Sequence, residues 1–190
     1  MIKIGILGDI GSGKSYVAQC FGYPVFDADR EVGRLYKTDK KTFNNLKKIL
    51  PNYFYKFPIE KKHVLKAILD KKGNLKKIVK IIHKEVRKKM NIFLKKNSHR
   101  QIVILDIPLL LENKINNKNF ILIYVQSKKS EILKRLKKRK NFNQKLFKKF
   151  KKIQLPLDYK KKKSNFIIKN NFNKVTVQKY VKDITKEILR

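Results

Sequence analysis

Short runs of consecutive apolar residues alternate along the chain with stretches in which apolar residues return every three or four positions. The continuous runs suit strands buried on both faces, and the helical period suits helices laid over them. The alternation therefore predicts βαβ units and a parallel sheet covered on both sides, an α/β fold. Five strands are predicted: Ile2 to Leu7, Pro24 to Asp27, Ile102 to Ile107, Phe120 to Val125 and Asn165 to Lys169. Helices are predicted from Gly13 to about Phe21, again after Asp29, and at Lys128 to Lys138 and Val175 to Leu189. Between the second and third strands lies a long insertion, about 38–100, in which Ile68, Leu69, Leu75, Ile78, Val79, Ile82 and Val86 fall at helical spacing. A second excursion, about 140–163, sets Phe142, Leu146, Phe147, Phe150 and Ile153 on one helical face; Pro156 should end that helix and leave Leu157 to Lys163 as a plain return to the last strand. The core of the single folding unit then comprises about 1–37, 101–139 and 164–190.

At 190 residues and 42% hydrophobic content the chain is large enough for a real core. No apolar stretch approaches the roughly 20 residues that a membrane helix needs, and a cytoplasmic protein is expected. The one cysteine, Cys20, excludes an internal disulfide and an all-cysteine metal site, and is expected to pack on the first helix. A formal net charge of +36 fits either a nucleic-acid footprint or a composition biased toward lysine, asparagine, isoleucine and phenylalanine. The lysines are spread over nearly every segment, which favours bias; no specific nucleic-acid target and no membrane are expected as partners. The runs at Lys137-Lys138 and Lys160 to Lys163 read as solvated faces unless an anion binds there.

Gly8-Asp9-Ile10-Gly11-Ser12-Gly13-Lys14-Ser15 follows directly on the first strand and fits a Walker A phosphate loop. Its glycines let backbone N–H groups converge on a β-phosphate, Lys14 can reach the β and γ oxygens, and the Ser15 hydroxyl can ligate Mg²⁺. A Gly/Ser turn would explain the flexibility but not the Gly-Lys-Ser ending. A nucleoside triphosphate is the expected ligand.

Open α/β sheets bind at the carboxyl ends of their strands, so the residues there are the candidates for chemistry. Asp27 and Asp29 close the second strand and would share a side if the strand ran through both. Asp29 then either accepts a proton from an attacking hydroxyl or places Mg²⁺, or simply caps the next helix. Asp106 ends the third strand as a Walker B carboxylate would, holding Mg²⁺ through water, while Pro108 stops the strand and Glu112 reads as structural. Arg135 and Arg139 lie one turn apart on a helix, placed either to clamp phosphate oxygens or to form a generic basic face.

Taken in order, GILGDIGSGKS, FDAD, IIHKEVR, LDIPLLLE, ILKRLKKR, IQLP and FIIKNN resemble the signature of the dephospho-CoA kinase family over nearly the whole chain. The resemblance implies a P-loop kinase core with a five-stranded parallel sheet, a helical acceptor-binding insertion and a lid. It further implies Mg·ATP as donor and phosphorylation of the ribose 3′-hydroxyl of dephospho-CoA, the last step of coenzyme A synthesis. By position, Asp29 corresponds to the catalytic carboxylate and Arg135 to the lid-side arginine on the transferring phosphate, with Arg139 a second contact. His83 and Arg87 fall in the family's acceptor-side segment, and Asn170 matches the asparagine near the adenine pocket.

Four positions depart from the family pattern: Asp9 for Gly, Tyr16 for Thr, Lys84 for Pro and Asn165 for Asp. A carboxylate at position 9 has to point away from the phosphates or weaken nucleotide binding. Two rivals remain open on sequence: a nucleoside monophosphate or other small-molecule kinase, and a basic nucleic-acid-binding protein that uses ATP as a switch.

Overall fold

The computed structural model describes residues 1–112, 115, 119–139 and 142–190. Its sheet contains β1 (Ile2–Gly8), β2 (Val25–Asp27), β3 (Ile102–Asp106), β4 (Phe120–Gln126) and β5 (Phe166–Lys169), all parallel, in the order β2-β3-β1-β4-β5. Register follows the apolar runs: Ile4 lies opposite Ile104 on one side and Ile121 on the other. Asn165 extends the edge pairing, its N–H donating to Leu122 O at 2.8 Å and its Oδ1 accepting from Leu122 N at 2.9 Å.

Successive residues of a strand point to opposite faces, and each face has its own core. Ile4, Ile6, Ile104, Ile123 and Val125 pack with α1 (Lys14–Cys20) and α9 (Lys174–Ile188). Cys20 is partly buried against this core, as expected for a packing residue. Leu7, Leu105, Leu122 and Tyr124 face the other way, toward α2 (Ala28–Thr38), α3 (Lys40–Ile49), α4 (Lys61–Asp70) and α5 (Asn74–Lys96). The apolar spacing expected to be helical in the insertion belongs to α4 and α5. Among the described residues no helix is long and apolar enough to cross a membrane.

The remaining helices are α6 (Lys129–Lys137), α7 (Gln144–Ile153) and α8 (Leu157–Lys162). Asx side chains set several helix starts: Asp27, Asp39, Asn143 and Asn173 each accept from an N–H three residues on. On α7, Leu146, Phe150 and Ile153 pack on the larger core, whereas Phe147 pairs, at 6.0 Å between ring centroids, with Phe142, which precedes the helix and so does not share its face as expected. Residues 140 and 141 of the expected second excursion lie outside the described residues.

Three expectations change. Pro156 does end α7's course, but the return to β5 is helical: Pro156 sits at the N-cap of α8, and Leu157 anchors that turn on the core. The Lys160 to Lys163 run is not wholly a solvated face, because Lys160 is buried against Glu112. Strand β2 stops at Asp27, so Asp27 and Asp29 are not related by strand alternation.

Candidate active site

The loop from Gly8 to Ser15 joins β1 to α1 at the centre of the sheet, where the chain's connections diverge to the two sides, the position at which open α/β sheets form a ligand crevice. Gly8, Gly11 and Gly13 have φ of 146°, 84° and 90°, a region that disfavours any Cβ. At Gly8 space forbids one as well, since it would stand 2.7 Å from both Ser12 Oγ and Val125 O. Buried Asn170 braces the loop, its Nδ2 donating to Ser12 O at 2.8 Å, and the Ser127 hydroxyl donates to the same carbonyl at 3.0 Å. Lys14 folds back on the loop and donates to Asp9 O at 2.7 Å. Burial pulls its ammonium below the usual lysine range, against the opposing pull of Asp106. The nearby Lys160 charge adds to that lowering.

A cleft of about 350 Å³ opens over this loop, lined by Ile10, Gly11, Gly13, Lys14, Ser15, Tyr16, Asp29, Asp106, Pro108, Arg135, Arg139 and Phe172. Asp106 arrives from the end of β3 and lines the cleft with Ser15; burial raises its carboxyl, while the neighbouring Ser15 hydroxyl and the Lys14 charge act against the rise. Asp29 is the second residue of α2 and is not its cap: Asp27 Oδ1 takes the Arg30 N–H at 2.9 Å. Asp29 is exposed on the wall of the cleft. Partial desolvation by the neighbouring protein raises its pKa first of all, the Asp27 charge adds to the rise, and Lys14, Lys61 and Arg139 act against it.

A second cavity of about 320 Å³ adjoins the first. Its walls are apolar, with Val64, Ile68, Ile78 and Ile82 from α4 and α5 and Leu146 and Phe150 from α7. The Tyr36 phenol there is pushed up to about 12 by burial. His83 also lines it; Arg87 is exposed one turn further along α5. Asp29 and Pro108 line both cavities.

Gly8, Asp9 and Ser12 stand outside the walls of the cleft. Asp9 turns its carboxylate to the other side of the loop, where Oδ1 accepts from Ile10 N at 2.7 Å and from Lys151 Nζ of α7 at 2.5 Å. Gln154 adds a bond from Nε2 to Gly8 O at 3.1 Å. Glu112 is structural in the way its position implied, accepting from Leu155 N at 2.9 Å and from Lys160 at 2.6 Å. Sequence reasoning missed Lys151, Lys160, Lys61 and Phe172. The lysines are lost among their many neighbours of the same type. Phe172 had a signal in its Asn-Asn-Phe-Asn setting, which is a turn composition with an aromatic inserted.

A parallel α/β sheet with a phosphate-binding loop at its centre, two carboxylates and two arginines over that loop, and an adjoining second cavity define a P-loop kinase. Residues 2–175 match the family described as CoaE, dephospho-CoA kinase. The chain belongs to the dephospho-CoA kinase family. A dephospho-CoA kinase of Wolbachia sp. subsp. Brugia malayi (strain TRS) is 34% identical over 186 residues, which span 95% of each chain. Among solved structures, a Thermus thermophilus protein superposes with a TM-score of 0.78 at 24% identity, covering 100% of this chain and 98% of the other. A dephospho-CoA kinase from Campylobacter jejuni gives 0.63 at 20% identity, covering 98% and 96%. These two likenesses speak for the fold.

Proposed function

We propose that the chain transfers the γ-phosphoryl group of ATP to the ribose 3′-hydroxyl of dephospho-CoA, giving coenzyme A and ADP. The observation that carries the site assignment is the place of Asp29, on the wall shared by the phosphate cleft and the apolar cavity. A group there can touch a donor lying in one and an acceptor lying in the other. The apolar cavity, with His83 on its wall and Arg87 beyond, takes the acceptor, and the helices at 38–100 are the acceptor-binding part of the chain.

Loop N–H groups and Lys14 hold the β and γ phosphates, Lys14 exchanging its bond to Asp9 O for phosphate oxygens. Asp29 accepts the proton of the 3′-hydroxyl as that oxygen attacks phosphorus, and the bond from phosphorus to the β,γ-bridging oxygen breaks to leave ADP. Arg135 on α6 and Arg139, just past the end of that helix and not on it as expected, close the cleft from the side opposite the loop. The hydroxyl of Ser15 and the carboxylate of Asp106 are hard oxygen donors lining the same cleft, a pair that fits Mg²⁺ arriving with the nucleotide. Such an ion would draw off charge from the phosphate oxygens. The proposal sets the reaction in the cytoplasm, in keeping with a single cysteine and no membrane-length apolar run.

ADP release measured against a panel of acceptors tests the reading. Dephospho-CoA should sustain turnover, and nucleoside monophosphates should not. Turnover with a nucleoside monophosphate and none with dephospho-CoA would overturn it.

A further inference from the structure

A groove of about 870 Å³ runs along β2, an edge strand of the sheet, and shares no lining residue with the phosphate cleft or the apolar cavity. Val25, Phe26 and Asp27 all line it. Successive side chains of a strand point to opposite faces, so three in a row on one wall mean that the edge of β2 forms that wall. On its inner side β2 pairs with β3, where Ile104 N–H donates to Pro24 O at 2.9 Å and Val25 stands in register with Ile104. A parallel ladder uses the main chain of alternate residues, so Pro24 and Phe26 turn theirs to β3 and Val25 turns its N–H and C=O outward. The groove thus holds an open strand edge, a template for pairing with another chain.

The last turns of α5 also line the groove, with Ile92 61% exposed and Phe93 partly buried. Arg30, Lys40, Lys41, Lys89 and Lys96 line it too, all exposed and none in an ion pair among the described residues. The carboxylates of the groove are already engaged: Asp27 takes the Arg30 N–H at 2.9 Å, Asp39 takes the Thr42 N–H at 3.1 Å, and Glu31 pairs with Arg34 at 2.7 Å. Five cations are therefore left without a negative partner beside an open strand edge and an exposed apolar residue.

We propose that this groove binds an acidic segment of another protein in extended conformation, added to β2 as a further strand, with its carboxylates on the arginine and lysine rim and its apolar side chains on Ile92 and Phe93. Strand addition draws affinity from main-chain bonds and specificity from alternate side chains, and one groove here offers both. A second copy of this chain is a poor occupant, because its own β2 would bring the same cations against these. A nucleic acid would satisfy the rim and leave the strand edge unpaired. The inference goes beyond the kinase reaction and does not rest on it.

Fluorescence anisotropy at low salt, with a labelled and capped peptide of alternating glutamate and valine, tests this. Beside it stand the same peptide methylated at every peptide nitrogen, a lysine and valine counterpart, and oligouridylate. The acidic peptide should bind, and both altered peptides should bind at least about 10-fold more weakly. Lys89→Glu/Lys96→Glu should weaken the acidic peptide about 10-fold or more, and added salt should weaken it in the wild type. Val25→Pro removes the outward N–H while sparing the ladder to β3, a change that edge strands tolerate, and should weaken binding about 3- to 10-fold. Thermal unfolding like that of the wild type shows that a variant keeps the fold; if Val25→Pro does not, the charge variant and the methylated peptide still decide. Equal binding of the methylated and unmethylated peptides would mean charge attraction without strand pairing and would overturn the proposal. So would no binding of the acidic peptide, or tighter binding of oligouridylate that is lost in the charge variant.

Discussion

Lys160 Nζ lies 2.6 Å from Glu112 Oε1, and the two side chains are only 1% and 9% exposed. The pair fastens the segment after β3 to the start of α8, with Leu155 N–H bonded to the same oxygen at 2.9 Å. Glu112 Oε2 has no hydrogen-bond partner among the described residues, so Lys160 is the group that neutralises the carboxylate. Breaking a buried pair from one side leaves an uncompensated charge and costs about 3–5 kcal/mol. Lys160→Met should therefore lower the unfolding free energy by about 3 kcal/mol or more, and the double variant Lys160→Met/Glu112→Gln should recover part of that loss. Denaturant unfolding checks this; a Lys160→Met protein as stable as the wild type would mean the pair contributes nothing.

Asp9 puts a negative charge in a loop that must hold a polyanion, and Lys151 answers it from α7 at 2.5 Å. Without that ammonium the carboxylate repels the triphosphate, so Lys151→Ala should weaken ATP binding about 3- to 10-fold at low salt. Asp9→Gly/Lys151→Ala should restore it, and salt should shrink the difference. Additive effects of the two changes on ATP affinity would show that Asp9 and Lys151 are not coupled.

The strands and the phosphate loop were legible because each rests on local pattern: apolar runs for β1, β3 and β4, broken in β1 only by Lys3, and glycine spacing for the loop. The helical return at 157–162 was not, since its stabilising contact is Leu157 on a core built by distant segments. Lys160 could not be told from Lys161 to Lys163 by type, and its burial depends on Glu112, 48 positions earlier. The role of Asp29 was left between cap and catalyst because an Asp at a helix start can serve as either. Only the dihedral angles and the Arg30 N–H show that Asp27 takes the cap.

Lys14 makes its hydrogen bonds to carbonyls of its own loop, so the fold does not depend on the ammonium as a bridge between distant elements. Lys14→Ala should stay within about 1 kcal/mol of wild-type stability, the usual range for losing one such bond. Its turnover should fall by roughly 10²-fold or more, because the charge is needed where negative charge develops. Wild-type turnover in this variant with Mg·ATP would remove the loop from the phosphate-binding role.

Asp29→Asn gives the sharpest separation of structure from chemistry. Partial desolvation at the cleft wall raises the Asp29 carboxyl above the ordinary carboxylate value, so the folded protein binds this proton more tightly than the unfolded chain does. Between the two pKa values the folded state holds more protons, and the contribution of this group to stability therefore falls as pH rises through that window. At neutral pH the charge works only weakly against folding, since solvent screens this exposed side chain, and replacing it with a neutral amide relieves that small opposition. The favourable term lost is the attraction of a carboxylate to the first turn of α2, roughly 0.3–1 kcal/mol, while the cap on Asp27 is untouched. Thermal unfolding of Asp29→Asn should thus match the wild type within about 1 kcal/mol or exceed it. Turnover should move far more, falling by roughly 10²-fold or more if the carboxylate accepts the hydroxyl proton, with ATP affinity little changed. In the wild type kcat/KM should rise with pH through a carboxyl pKa above the ordinary range, and this limb should vanish in the variant. A stable Asp29→Asn enzyme with nearly normal kcat and an unaltered pH profile would take the proton acceptor away from Asp29 and require another base in the cleft.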